Sequence, residues 1–348
     1  MVDVFFVTNR VRLPDVGGIA QFGPTLEPEA PDNLWCGIAS VDGFGPNPVD
    51  PTVGTLAQIQ GLNQGGFAQP QTDALAQSPN DVLVFIHGAD NPFADAVIRA
   101  GYNRQWLAAE GKTVDLILFS WPSRDYPSGL NLQGDLTDYK ADRVAAAASA
   151  FHLGQFLRML AALKPLLGAR KLHLMCHSMG NFALGSGVGA WFASGNAAAP
   201  LFDRIILAAA DEPYDTFQSA NGGRLARLKE LGAAITVYFS LGDLMMFLSR
   251  TVNGVVPLGM NGPLDEKDTG FFAPAVYQFV DCKDVRDWLG PNTIAQVDQS
   301  HQYYRQSQAA RTDVARVLLG LPNQRYFYDP ATNAWWLVMP PIMGVPTA

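Results

Sequence analysis

Short runs of consecutive apolar residues, each closed by a glycine or a polar cluster, recur along the chain. DVLVFIHG (81–88), TVDLILFSW (113–121), KLHLMCH (171–177), RIILAAAD (204–211), AAITVYFSLGD (233–243) and AVYQFVD (275–281) are of this kind. A strand buried on both faces reads this way, because neither side alternates with solvent. Two earlier runs, VDVFFVTNR (2–10) and LWCGIASV (34–41), are strand-like too, rich in Val, Ile and aromatic residues. Between the later strands the pattern turns helical. NPFADAVIRAGYNRQWLAAEG (91–111) reads as a helix with Asn91 as N-cap, Pro92 in the first helical position and Gly111 closing it. After a polar loop through 138, a long helix is predicted over 139–164, and another opens within NFALGSGVGAWFAS (181–194). TFQSANGGRLARLKELG (216–232) is helix-like.

Strands alternating with helices make βαβ units. The predicted fold is therefore α/β, with a mostly parallel central sheet and helices on both faces. No boundary interrupts the series, so residues 1–348 are expected to form one domain. Residues 13–80 form a Gly- and Pro-rich segment that holds the strand at 34–41. The apolar tail, 322–348, carries prolines that forbid a spanning helix, so it is expected to pack on the domain.

Composition narrows the function classes. Hydrophobic residues make up 48% of the 348 and charged residues 16%, which permits a large core. The net charge of −8, without a dense Lys/Arg cluster, argues against a nucleic-acid partner. Cys36, Cys176 and Cys282 are too far apart for metal-ligand spacing or a disulfide framework. The start, MVDVFFVTNR, lacks the basic-then-apolar layout of a secretory signal, and no apolar run reaches about 18 residues. The expectation is a cytoplasmic protein without a transmembrane segment.

The chemistry gathers at KLHLMCHSMGN. Ser178 stands where a buried strand ends and a helix begins, the setting of the nucleophile elbow G-x-S-x-G. Positions two before and two after the serine must be small there, because strand and helix nearly touch. Gly180 satisfies this; Cys176 replaces the first glycine. The S-x-G triplet alone says little, since Ser240-Leu241-Gly242 satisfies it as well. Ser178 read by itself could equally be a helix N-cap. Order along the chain separates the readings, because in an α/β fold with this elbow the acid and then the base follow the nucleophile. His301, in the polar stretch VDQSHQYYR, is the one histidine after Ser178. Asp243 and Asp211 each end an apolar strand; Asp243, after the penultimate one, is the preferred acid and Asp211 the alternative. For an oxyanion, the N–H of Met179 would be one donor and that of Ala89, in FIHGADN, the second, with His87 bracing the loop.

With these pieces in place the chain resembles the α/β-hydrolase superfamily and, within it, the bacterial family of α/β hydrolases of unknown function, which are esterase- and lipase-like. VFFVTNR, VLVFIHGADNPFADAV, LILFSWPS, LHLMCHSMGN, ILAAADE, VYFSLGDLMM and SHQYY carry the resemblance, in family order, over residues 3–304. It implies a triad of Ser178, Asp243 and His301, with Ala89 and Met179 at the oxyanion positions. Two departures stand out: Cys176 replaces a commoner Gly or Ala, tightening the elbow, and Ala89 is smaller than the usual residue, enlarging the acyl side. Only 22 or so residues separate Asp211 from the next strand, too few for a large cap domain. The loop 122–138 and the Met-, Phe- and Leu-rich stretch 244–274 should then border the site. These features imply a serine hydrolase acting on a small-molecule carboxylic ester with an apolar acyl group, without cofactor or metal. Amide or peptide cleavage, or acyl transfer, would use the same triad, and a non-catalytic binding protein on a hydrolase scaffold is the rival of another class.

Overall fold

A computed structural model describes residues 1–44, 54–126, 132–285, 300–322, 325 and 327–337, with only the backbone described for 132–135. The strands are β1 (Val2–Thr8), β2 (Arg10–Val16), β3 (Ile19–Leu26), β4 (Trp35–Asp42), β5 (Thr55–Gln64), β6 (Asp81–Ile86), β7 (Val114–Ser120), β8 (Leu172–His177), β9 (Arg204–Ala208), β10 (Ile235–Phe239), β11 (Tyr277–Asp281), β12 (Phe327–Asp329) and β13 (Ala334–Trp336). The helices are α1 (Gln69–Gln77), α2 (Phe93–Ala109), α3 (Leu132–Ala148), α4 (Ala150–Leu163), α5 (Met179–Ala193), α6 (Leu244–Asn253), α7 (Leu258–Asn261), α8 (Tyr303–Gln306) and α9 (Gln308–Leu319).

Eleven strands form one sheet in the order β12-β13-β11-β10-β9-β8-β6-β7-β1-β4-β5. From β1 across to β11, and on to β13, neighbouring strands run parallel. The antiparallel pairings, β1–β4, β4–β5 and β12–β13, lie toward the two edges. Every residue of β7 and β8 is buried, which is why these strands read as unbroken apolar runs. Two cores explain the burial. Val82, Val84, Ile86, Leu174 and Leu207 face α3, α4 and α5 on one side of the sheet. Leu83, Phe85, Met175 and Ile206 face α2 and α9 on the other. The expected α/β architecture is present, and no cap domain is inserted between β9 and β10.

Several local expectations are corrected. The 13–80 segment holds more than one strand: β2 and β3 form a separate two-stranded sheet, and β5 and α1 follow. Asn91 does not cap α2; Pro92 takes that position and Asn91 turns its amide back onto the preceding loop. The single helix at 139–164 is two helices, the first beginning inside the presumed loop at Leu132. They part at Ser149, whose Oγ bonds back to the Ala145 carbonyl at 2.9 Å and accepts Asn9 Nδ2 at 3.0 Å. Such back-bonding competes with the regular helical ladder. The helix-like stretch 216–232 contains only two 3₁₀ turns, Ser219–Asn221 and Leu228–Glu230. Gly222 at φ +70° ends the first, and a Cβ on Gly223 would lie 2.3 Å from the Thr216 carbonyl oxygen. The stretch 244–274 opens with α6, and the tail adds β12 and β13 to the sheet; its residues 338–348 lie outside those described. Among the described residues no helix is long and apolar enough to cross a membrane.

Candidate active site

All the candidate groups sit beyond the carboxyl edge of the parallel strands, where ligands of open α/β sheets bind. Ser178 follows β8 directly and precedes α5. Its backbone has φ +55° and ψ −128°, a region that a residue with a Cβ rarely adopts. Such a conformation costs about 1–3 kcal/mol and persists only where its surroundings enforce it. Here the Ser178 N–H donates to the Ala208 carbonyl at 3.0 Å. The Ser178 carbonyl accepts the backbone N–H of Asn181 at 3.0 Å and of Asp211 at 3.1 Å, and Asn181 Nδ2 at 3.0 Å. The serine side chain itself caps nothing. Ser178 thus takes the N-cap position of α5 without using its hydroxyl as the cap.

The small neighbour at Gly180 is a geometric necessity. A Cβ there would lie 2.5 Å from the Ile86 oxygen and 2.6 Å from the His87 oxygen, both rigid backbone at the end of β6. Replacing a helical glycine by alanine ordinarily stabilises by roughly 0.5–1 kcal/mol. Gly180→Ala is expected to do the reverse, destabilising by about 1–3 kcal/mol through overpacking. Denaturant unfolding checks this, and an alanine variant at least as stable as the parent would refute the close-approach argument. Cys176, fully buried on β8, fills the other small position without obstruction.

The chain-order argument placed an acid and a base downstream, and the structure brings two such groups together. His301 Nδ1 lies 2.8 Å from Asp243 Oδ2. Facing a carboxylate, that nitrogen carries the proton, which leaves Nε2 as the acceptor. The second oxygen, Oδ1, accepts the Met246 N–H at 3.0 Å and so caps α6. One carboxylate thus starts a helix and orients a histidine. His301 is 4% exposed, not the surface loop residue its polar context suggests. His177 Nε2 donates to the His301 carbonyl at 3.2 Å, and the two rings lie 4.6 Å apart. The Tyr304 ring lies 4.7 Å from that of His177. Burial, reinforced by His301 and Arg305, pushes the His177 imidazole well below its usual pKa, so it stays neutral.

The alternative acid, Asp211, is engaged elsewhere. Its oxygens accept Tyr139 Oη at 2.7 Å and Ser249 Oγ at 2.6 Å, and Arg143 Nη1 stands 3.3 Å away. It ties α3 and α6 to the turn holding Ser178. Neighbouring Glu212 pairs with Arg224 at 3.1 Å, and burial pushes its carboxyl up to about 7 despite that cation.

The loop after β6 lies against the serine: a Cβ on Gly88 would be 2.8 Å from Ser178 Cβ. Ala89 is the next residue, and Met179 opens α5, where first-turn N–H groups have no intrahelical acceptor. His87 braces this loop as expected: its Nδ1 donates to the Gly88 carbonyl at 2.7 Å and its ring stacks on Trp121. Burial and the Arg10 charge hold the His87 imidazole well below its usual pKa. Among the described residues no group of three or more His, Cys, Asp or Glu is placed to hold a metal ion. Residues 127–131, part of the loop expected to border the site, and residues 286–299 lie outside those described.

Sequence reasoning missed Asn181 and His177 as supports of the elbow and of His301. Asn181 could have been found as the third residue after the serine, placed to reach back to its carbonyl. His177 gave no such signal.

The sequence matches the family described as "Alpha/beta hydrolase of unknown function (DUF900)" over residues 69–298. No curated protein matches it. Among solved structures, an inhibited esterase B from Lactobacillus rhamnosis is similar at 13% identity, covering 70% of this chain and 78% of that one, with a TM-score of 0.35. Aspergillus fumigatus lipase B is similar at 12% identity, covering 64% and 50%, with a TM-score of 0.28.

Proposed function

The chain belongs to the family of alpha/beta hydrolases of unknown function, and from that premise we propose that it is a serine hydrolase cleaving carboxylic esters through an acyl-enzyme. The observation that carries this reading is the 2.8 Å pairing of His301 Nδ1 with Asp243 Oδ2, with His301 packed on His177, the residue that precedes a serine held at φ +55°. Ser178 Oγ attacks the acyl carbon while its proton passes to His301 Nε2. The negative charge that develops on the acyl oxygen is met by the N–H groups of Ala89 and Met179. Asp243 keeps the imidazole in the required tautomer and stabilises the imidazolium. Collapse of the tetrahedral intermediate breaks the ester C–O bond, and the departing alkoxide takes the proton from His301. Water then repeats the sequence on the acyl-enzyme and releases the acid. Neither His87 nor His177 competes as base, since both precede the nucleophile and are already spent on backbone carbonyls.

An apolar acyl group suits the surroundings. α6, capped by Asp243, turns Leu244, Phe247 and Leu248 outward, 40%, 53% and 38% exposed. Three large apolar residues on one exposed helix face beside a proposed site favour an apolar ligand over a polar one.

A fluorophosphonate probe and a panel of p-nitrophenyl esters from acetate to palmitate test the proposal. A single adduct on Ser178, with turnover favouring chains longer than acetate, is the expected result. Absence of both adduct and ester turnover in the folded protein would leave the non-catalytic scaffold as the better reading.

A further inference from the structure

Two sequence stretches that mark the chain, VTNR at the end of β1 and SWPS after β7, contribute no group to the proposed triad. The structure brings both onto the loop that carries Ala89. Arg10 is 1% exposed. Its Nε donates to Ser120 Oγ at 3.0 Å, its Nη1 to the Ser123 carbonyl at 2.9 Å and the Gly23 carbonyl at 3.4 Å, and its Nη2 to the Asn91 carbonyl at 2.6 Å. No carboxylate lies within ion-pair distance of it among the described residues, although the Asp142 charge, held by Ser123 Oγ at 2.6 Å, acts on it from farther off. Burying a guanidinium with no directly paired carboxylate is costly, several kcal/mol for the ion alone. An apolar side chain would fill that space more cheaply, so a role in stability alone is a poor account of it.

Asn91 completes the arrangement. Its side-chain amide donates to the Gly88 carbonyl at 3.1 Å and to the Ala89 carbonyl, and its N–H donates to Ser123 Oγ at 3.1 Å. Between them Asp90 adopts φ +54°, with its N–H on Asp142 Oδ2 at 3.3 Å. The carbonyls of Gly88, Ala89 and Asn91 are therefore all held by protein donors. In a planar trans peptide the N–H points opposite to the C=O. Fixing the Gly88 carbonyl on Asn91 and His87 consequently fixes the Ala89 N–H in the opposite direction, next to the glycine that abuts Ser178.

We propose that Arg10 and Asn91 are positioning residues that lock the Gly88–Asn91 turn so that the Ala89 N–H is aimed at the oxygen of the reacting acyl group. This rests on the oxyanion role given to Ala89 above. A donor displaced by about 1 Å forfeits on the order of 100-fold in rate, with little effect on binding of the ground state.

The experiment compares Arg10→Met and Asn91→Ala with the parent protein on a p-nitrophenyl ester and on an alkyl trifluoromethyl ketone. The ketone adds Ser178 Oγ reversibly, and its oxygen becomes the oxyanion. The expected result is a kcat lower by about 100-fold with KM within threefold, and a ketone inhibition constant raised in parallel with the loss in kcat/KM. A role in stability alone would not move the ketone in step with kcat. If Arg10→Met fails to fold, Asn91→Ala decides, since among the described residues its side chain hydrogen-bonds to the Gly88 and Ala89 carbonyls of the loop itself. Folded variants with kcat within threefold of the parent, or with ketone affinity unchanged while kcat falls, overturn the inference. Failure of the hydrolase reading is a separate outcome, because it appears in the parent as no adduct and no turnover.

Discussion

Ser178→Ala should abolish ester hydrolysis while leaving thermal unfolding unchanged within about two degrees. The two halves of this expectation come from different features. Alanine differs from serine only by Oγ, and that atom caps nothing in the native structure. The strained backbone at φ +55° is held through its main-chain atoms, the N–H donating to the Ala208 carbonyl and the carbonyl accepting from Asn181 and Asp211, all of which alanine retains. Both residues carry a Cβ, so the conformational penalty is the same in each. The chemistry, in contrast, loses its nucleophile outright. Removal of a triad serine elsewhere lowers kcat by about 10⁶-fold, with a residual rate due to the oxyanion donors and binding. A loss between about 10⁴ and 10⁶ is therefore expected. Purified, folded variant that keeps a tenth of the parent rate would mean that another group attacks the substrate. The fluorophosphonate adduct must disappear in the same variant.

The central strands were legible because burial on both faces leaves no alternation to interpret. DVLVFIHG and KLHLMCH became β6 and β8 within one or two residues. That Asp243 and His301 would meet was legible too, since chain order places both after strands that end at the same edge of the sheet. Burial at loop sites was not. SHQYYR reads as polar surface, yet His301, Tyr303, Tyr304 and Arg305 are all buried against the sheet edge. Their partners, His177 of β8, Tyr238 of β10 and Asp243 after it, lie far away in sequence. Asn91 before Pro92 carries the same local signal for a helix cap as for a loop clamp. Arg10, 81 positions earlier, decides between them. The hairpin β2–β3 was invisible for the opposite reason: most of β2 is exposed, and Pro14 lies within it. The helix read into 216–232 failed because Gly222 and Gly223 close a turn that residue propensities alone overlook.

The choice between Asp243 and Asp211 has a sharper consequence than position alone provides. Asp243→Asn should lower kcat by roughly 10⁴-fold without destabilising the fold. Asparagine caps helices as well as aspartate does, so the bond from Met246 N–H survives on the amide oxygen. That bond then fixes which way the amide faces. With its oxygen on Met246, the NH₂ group must face His301 Nδ1, where the carboxylate oxygen was. A donor cannot accept the Nδ1 proton, so the imidazole is driven to the tautomer protonated on Nε2. In that form His301 has no lone pair for the serine proton, and the nucleophile is not activated. Asp211→Asn meets a different network. Its oxygens serve Tyr139, Ser249 and Arg143, and it touches the proposed site only through its backbone N–H on the Ser178 carbonyl. Losing the charge beside Arg143 should lower thermal stability and cost less than about tenfold in kcat, because the backbone contact remains. Steady-state kinetics and thermal unfolding of both variants give the answer. If Asp211→Asn shows the greater fall in kcat at comparable stability, the carboxylate that orients His301 in turnover is not Asp243, whose Oδ1 then serves to cap α6 and whose 2.8 Å pairing only holds the histidine in place.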